Sequence, residues 1–343
     1  MLVLLPVIVV LAVEDGPAGQ IAYVSGTEQE DRRVCILDLG TWTVTPIGRG
    51  DRDGRPVWSP DGSWVAFESG QPEGTSIFVV RPDGSELHPF KHSKLWNRYP
   101  TWSPLPEDPR QPYHPRLAYA ASDGDPRNEV ICIYDLKSDT ERVYGGDRTG
   151  LTRPVWLGHS KLVAVLQAEL EERGEEDWAL WAEVSPEPEE TLLAIGLAGT
   201  VGDNLTTDIF VVTPNRAVPL PAYVLPSRGD YVEWAVEPSP DGKRVAFESN
   251  DGGDREIFVM THKGAADITN HHTADWNPVW SPEGDWLAFE SFRSGRRGVY
   301  RVNPETALVI PVAASDGAEC WAPTWSPDGR WLAYVSNQRG NPD

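Results

Sequence analysis

One phrase returns along this chain. "PVWSPDGSWVAFES" (Pro56 to Ser69) is echoed by "PVWSPEGDWLAFES" (Pro278 to Ser291) and "PTWSPDGRWLAYVS" (Pro323 to Ser336). Weaker copies begin at Pro100, Pro154 and Val236. The second carries extra residues in its turn, the third has lost Ser-Pro-Asp-Gly, and the fourth has Pro238 in place of Trp. Starts lie about 40 to 55 residues apart, with one gap of about 80, a period that marks stacked supersecondary units, propeller blades among them. Each unit reads as four strands. In the clearest copy these are Pro56 to Ser59, Trp64 to Ser69, Ser76 to Arg81 and Glu86 to Phe90. Ser-Pro-Asp-Gly suits the first turn: Pro presets φ, Asp bonds the following backbone, and Gly tolerates positive φ. The strands alternate apolar and polar residues, as half-buried sheets do. "EIFVMTHKG" and "DIFVVTPN" repeat the third strand and its turn, and no convincing amphipathic helix appears.

A lone four-stranded antiparallel sheet exposes both faces, whereas radial packing of such sheets covers them and leaves short edges. The expected fold is therefore all-β, a β-propeller of four-stranded antiparallel blades. Trp58, Trp102, Trp156, Trp280 and Trp325 recur at one position and are expected to fill one blade-to-blade gap. The blade count is seven or six. Between Trp156 and Pro238, Ala179 to Ile195 and Asp208 to Leu220 each read as a third and fourth strand, which favours seven. One blade with a long insertion around 170–230 is the alternative. The chain reads as a single domain over 19–343. Ile21 to Ser25, Arg33 to Leu39 and Thr41 to Ile47 supply strands two to four without a first, and the last copy supplies only strands one and two. The two ends are expected to complete one shared blade, or the chain is a fragment of a longer protein.

Composition supports this and narrows the partners. Gly and Pro (31 each) make the chain turn-rich, while fifteen Trp supply a large apolar area for burial. A net charge of -22 repels phosphate backbones, which argues against nucleic acid, and permits basic proteins, cationic ligands or metal ions. Cys35 and Cys132 occupy one place in two aligned stretches, "VCILDL" and "ICIYDL". Equivalent positions in non-neighbouring units cannot approach to disulfide distance, so free, buried thiols are expected. The apolar run Leu2 to Val13 is too short for a membrane span. It reads either as a signal-peptide core over 1–13, ending near Val10-Leu11-Ala12, or as a strand beside Ile21 to Ser25.

"WNPVWSPEGDWLAFES", followed by "IFVM"-type strands and Gly-containing turns, resembles the propeller repeat of the Tol-Pal component TolB and its relatives. The same repeat occurs in the propellers of prolyl-oligopeptidase-type enzymes. The likeness covers about Ile21 to Ser336 and is specific for fold more than function. It implies an extracytoplasmic, periplasmic, non-catalytic scaffold, monomeric and without cofactor, that binds a protein or peptide through its loop face. The second reading is a fragment: the gating propeller of a larger peptidase. The third, a lyase or hydrolase with a channel metal, is the weakest. TolB carries an α/β domain before its propeller, and nothing here has that pattern.

Catalytic signatures are missing. There is no Gly-x-Ser-x-Gly elbow, and "LGHSKL" around Ser160 reads as a polar turn. Nor are there a helical His-x-x-x-His, a Cys-x-x-Cys or a phosphate-cradling loop. His271 and His272 sit in a loop where neighbouring side chains are expected to diverge, so no metal site is assigned. The acidic run Glu169 to Asp177 lacks EF-hand spacing. The binding candidates lie in the loops leading into first strands. They are Asn97, Arg98, Tyr99, Arg153, Trp234, Asp275, Trp276, Asn277, Glu319 and Trp321, which differ between copies as a shaped face requires. Glu68, Glu248 and Glu290, each in "AFES", either ring a cation or bond their neighbouring blades.

Overall fold

The structure, a computed structural model, describes residues 7–10, 19–26, 31–157, 191–220 and 232–337, apart from 72, 91–93, 107, 109, 202–203, 252 and 315–316. The first strand, β1 (Val7–Val10), belongs to the last sheet. β2 (Gln20–Ser25), β3 (Arg33–Asp38) and β4 (Thr43–Pro46) form a three-stranded antiparallel sheet. β5 (Gly54–Trp58), β6 (Val65–Gln71), β7 (Gly74–Val80) and the short β8 (His88–Pro89) pair in order. So do β9 (Trp96–Trp102), β10 (Arg116–Ser122), β11 (Val130–Asp135) and β12 (Thr140–Tyr144), and one parallel bridge from Thr75 to Trp96 joins the two sets.

Three four-stranded sheets follow: β13 (Leu151–Trp156), β14 (Leu192–Val201), β15 (Asn204–Thr213) and β16 (Arg216–Pro219); then β17 (Glu233–Pro238), β18 (Val245–Ser249), β19 (Glu256–Thr261) and β20 (Gly264–Asp267); then β21 (Asp275–Trp280), β22 (Leu287–Ser291), β23 (Gly298–Asn303) and β24 (Leu308–Ala313). β25 (Cys320–Trp325) and β26 (Leu332–Ser336) are completed by β1, which runs antiparallel to β26 with Val7 opposite Ser336. No α-helix is present among the described residues, and no helix there is long and apolar enough to cross a membrane.

Two expectations are corrected by the pairing. The apolar amino-terminal strand lies against β26, not beside Ile21 to Ser25. Leu192 to Ile195, read as the end of a third-and-fourth-strand pair, belongs to β14, the second strand of its sheet: Trp156 faces Leu192 and Thr152 faces Ile195. The rest of the stretch 158–190, including Ser160 and the acidic run, lies outside the described residues.

Buried apolar residues form layers between consecutive sheets, because strand alternation sends successive side chains to opposite neighbours. In β18 and β19, Val245, Phe247, Phe258 and Met260 meet Ile195, Ile209 and Val211 of the preceding sheet, while Ala246, Ile257 and Val259 meet Trp280, Phe289 and Tyr300 of the next. Cys35, Cys132 and Cys320 are free and buried, the last two within such layers, and burial pushes the Cys132 thiol up to about 12.

Three of the turns that follow first strands are built one way. Ser59 Oγ donates to Asp61 (2.6 Å) and accepts from Trp64 N (2.9 Å), while Gly62 takes φ 70°. Ser239 with Asp241 and Ser326 with Asp328 repeat this, each closed by a left-handed Gly. In the long second copy Ser103 still accepts from Arg116 N at 3.1 Å, so the inserted residues bulge out of an intact hairpin mouth.

The expected Trp role holds in detail. Trp102, Trp156, Trp280 and Trp325 each donate Nε1–H to a carbonyl of the preceding sheet's first strand: Val57, Thr101, Glu237 and Val279, at 2.9 to 3.1 Å. The first strands β5, β9, β13, β17, β21 and β25 consequently pack side by side, each against the next.

Candidate functional site

Every first strand carries a bulge near its start, where the register against the second strand slips. In five of the six the slip coincides with a left-handed residue: Arg55, Tyr99, Arg153, Asn277 and Ala322, with φ between 48° and 61°. A bulge leaves one N–H outside the ladder, and that donor needs a partner. Three of these N–H groups donate to the "AFES" glutamate of the preceding sheet. Tyr99 N reaches Glu68 at 2.7 Å, Asn277 N reaches Glu248 at 2.6 Å, and Ala322 N reaches Glu290 at 2.9 Å.

These glutamates are therefore sheet-to-sheet ties, the bonding alternative of the sequence reading; they do not converge on one cation. Each is also matched by arginine: Glu68 by Arg55 (3.4 Å), Glu248 by Arg255, and Glu290 by Arg297 (2.5 Å). Ala120 and Val335 stand at the same register point in β10 and β26. Just before β11, the strand that pairs with Ala120, Glu129 takes over, pairing with Arg98 at 3.5 Å and bonding Thr152. Burial pushes the carboxyls of Glu68 and Glu129 above the usual range, and the facing arginines pull against it.

The ten sequence candidates divide. Asn97 is buried and donates to the carbonyls of Thr75 (3.1 Å) and Lys94 (2.9 Å), so it pins the loop. Asp275 is fully buried, paired with Arg293 at 2.5 Å and hydrogen-bonded to Glu256. Glu319 lies where the backbone is clasped by Asn337, whose Oδ1 accepts from Glu319 N at 2.7 Å. Asn277 is exposed but its amide donates to Glu290 at 2.7 Å.

The remaining six join a rim of arginines and rings. Arg55, Arg153 and Arg98 lie 4.4, 5.1 and 5.9 Å from the Tyr99 ring. Arg153 donates to the Trp234 carbonyl at 2.6 Å, and Arg255 covers the Trp234 ring at 4.5 Å. Arg297 spans Trp276 and Trp321, at 5.6 and 5.5 Å. Arg55, Arg255, Arg297 and Glu129 were missed by sequence reasoning. One signal was legible: Arg255 and Arg297 each fall seven residues after the "AFES" glutamate, just before the third strand.

Below this rim, Glu256 and Asp275 share a hydrogen bond, and burial with the charges of Asp275 and Asp267 raises Glu256 to about 7. The His271 and His272 rings do not diverge as expected; their centroids lie 4.1 Å apart, and burial and Arg293 lower His271. No group of three or more His, Cys, Asp or Glu placed to hold a metal occurs among the described residues.

Comparison with known proteins agrees with this architecture. Residues 227–343 match the family described as TolB beta propeller domain. The Tol-Pal system protein TolB of Desulfosudis oleivorans is 36% identical over 59 residues, 17% of this chain and 14% of that protein, so the match spans a small part of the relative. The β-propeller domain of the trilobed protease from Pyrococcus furiosus superposes with a TM-score of 0.59 at 14% identity, covering 90% of this chain and 87% of that one. An acylaminoacyl peptidase superposes at 0.60 with 13% identity, covering 94% of this chain and 48% of that one. At these identities the structural likeness is one of fold. By its repeat, its strand pairing and these likenesses, the chain is a β-propeller whose carboxy-terminal third, residues 227–343, matches the TolB beta propeller domain family.

Proposed function

We propose that the chain is a non-catalytic scaffold that binds a protein or peptide partner through the rim at the starts of its first strands. One observation carries this. At three bulges the backbone is held from below by a buried glutamate that bonds a main-chain N–H, so this tie does not use the side chain just before the bulge, although Glu129 engages Arg98 and Thr152 in their two copies. That position nevertheless holds half-exposed Arg98, Thr152, Trp234, Trp276 and Trp321 in successive copies. Half-exposed Trp, Tyr and Arg are the residue types on which association energy concentrates. We place the protein outside the cytoplasm, as the TolB likeness favours.

The test is site-specific photo-crosslinking in the source cells. A crosslinker at Trp276 or Trp321 is expected to capture one defined partner. A crosslinker at Trp42, 63% exposed on an outer turn, is expected to capture none. Equal capture from both sites, or none from the rim, overturns the proposal. Cell fractionation checks the compartment. A gating propeller of a serine peptidase is the second reading, favoured by the superposition on acylaminoacyl peptidase. Turnover of a chromogenic peptide ester by the natural protein, abolished by a serine-directed phosphonate, would establish it.

A further inference from the structure

The arginines of the rim are not evenly distributed. In the sheets of Glu248 and Glu290 the pattern is one arginine to one buried glutamate: Arg255 with Glu248, Arg297 with Glu290. Around Tyr99 it breaks. Three guanidinium groups, from Arg55, Arg153 and Arg98, stand 4.4, 5.1 and 5.9 Å from one ring. They come from three consecutive first strands, β5, β13 and β9. Among the described residues two carboxylates answer them, Glu68 toward Arg55 at 3.4 Å and Glu129 toward Arg98 at 3.5 Å, with Glu129 also feeling the charge of Arg153.

Among the described residues Arg153 has no carboxylate within ion-pair distance, and it donates to the Trp234 carbonyl. Arg98 keeps a buried Nε–H without a partner. Arg55 holds its glutamate loosely, with half of its side chain exposed. Gathering three cations costs energy that the sheet-to-sheet tie does not require, since the other sheets make that tie with one. The ring supplies a flat platform whose faces attract guanidinium groups and hold them in place.

We propose that this cluster is a carboxylate-binding site, taking an acidic side chain or the terminal carboxylate of a peptide partner. The planar fork of arginine matches a carboxylate with two parallel N–H···O bonds, and the surplus positive charge is local. The chain as a whole is strongly acidic, so an acidic peptide gains nothing from long-range steering. Its capture would report the cluster itself. The inference rests on the scaffold reading above.

The test uses the whole protein and three rhodamine-labelled peptides read by fluorescence anisotropy: amidated hexaglutamate, hexaglutamine with a free carboxyl terminus, and amidated hexaglutamine. The first or the second is expected to bind and the third not; which one binds separates the side-chain from the terminal source. Arg55→Gln and Arg153→Gln are each expected to weaken binding by about tenfold or more, the scale of one charge-assisted pair. Arg153→Lys should recover part of it. If a Gln variant fails to fold, loss of wild-type binding on raising salt from about 0.05 to 0.5 M serves as the second measurement. No preference over amidated hexaglutamine up to about 1 mM, or affinity indifferent to both arginines and to salt, overturns the inference. Rim crosslinking that succeeds while the peptides fail would remove this inference and leave the scaffold reading standing.

Discussion

Replacing Glu290 by Gln cuts one sheet-to-sheet tie while nearly preserving shape. The carboxylate is fully buried and accepts from Ala322 N (2.9 Å), Asn277 Nδ2 (2.7 Å) and Arg297 Nε (2.5 Å). Gln offers one carbonyl for these three donors, and its amide N–H₂ must face another donor. Each hydrogen bond to a charged group is worth about 1.5–3 kcal/mol, and a buried donor left unmatched costs about 1–3 kcal/mol. Two effects work the other way. The carboxylate no longer has to be desolvated, and Arg297, with 33% of its side chain exposed, can turn to water.

The balance is a loss of about 3 kcal/mol, concentrated where β22 holds β25. Urea unfolding read by Trp fluorescence measures it. Hydrogen exchange should show amides of β25 and β26 losing protection before those of β18 and β19, as local opening requires. Arg297→Gln should cost less, and the double variant should fall short of additivity by about 1–3 kcal/mol. A loss under about 1 kcal/mol in Glu290→Gln, with protection in β25 unchanged, would show that the apolar layers alone hold the sheets together and that the tie is incidental.

Three further outcomes follow from the same geometry. Trp280→Phe keeps the ring in its layer but strips the donor from the Glu237 carbonyl; about 1–2 kcal/mol should be lost in urea unfolding, against roughly 3–5 kcal/mol for Trp280→Ala. Glu256, raised to about 7 when folded, holds a proton that the unfolded chain releases. Its contribution is therefore complete below the usual carboxylate range and is lost as pH rises through about 7, by roughly 2 kcal/mol, and Glu256→Gln should flatten that slope in unfolding curves between about pH 5 and 8. The Cys132 thiol, buried and pushed up to about 12, should react with a disulfide reagent only as fast as its sheet opens, so its rate should rise in Glu290→Gln far less than that of Cys320.

The fold was legible because its cause is periodic. A phrase that returns every 40 to 55 residues specifies a sheet that cannot bury its own faces, and the recurring Trp marked the gap it fills. What failed was local. The sheet of Trp156 lacks the Ser-Pro-Asp-Gly turn, and without that punctuation no residue announced that the second strand begins at Leu192. The rim was half legible. Variation at one repeat position pointed to Arg98, Tyr99, Arg153, Trp234, Trp276 and Trp321, but Asn97 and Asp275, one place earlier in the pleat, face inward. In a strand that step reverses the side chain, and the bulge that fixes the phase leaves no residue type as its mark. Arg55 was overlooked because its partner Glu68 lies in the next strand, thirteen positions on.

The same bulge explains how the rim can vary while the propeller stays intact. A left-handed residue costs the framework about 1–2 kcal/mol when it is not Gly, yet Arg, Tyr, Asn and Ala all occupy it here. The glutamate of the preceding sheet offsets that cost at three of these positions by taking the freed N–H. The bond goes to backbone, so it is indifferent to the side chain. Geometry is thus fixed through main-chain atoms and recognition is left to the side chains above them. Changing Trp276 or Trp321 should therefore alter binding with little loss of stability. Changing Glu248 or Glu290 should do the reverse, and a rim substitution that proved as destabilising as Glu290→Gln would show that the two layers are not separable.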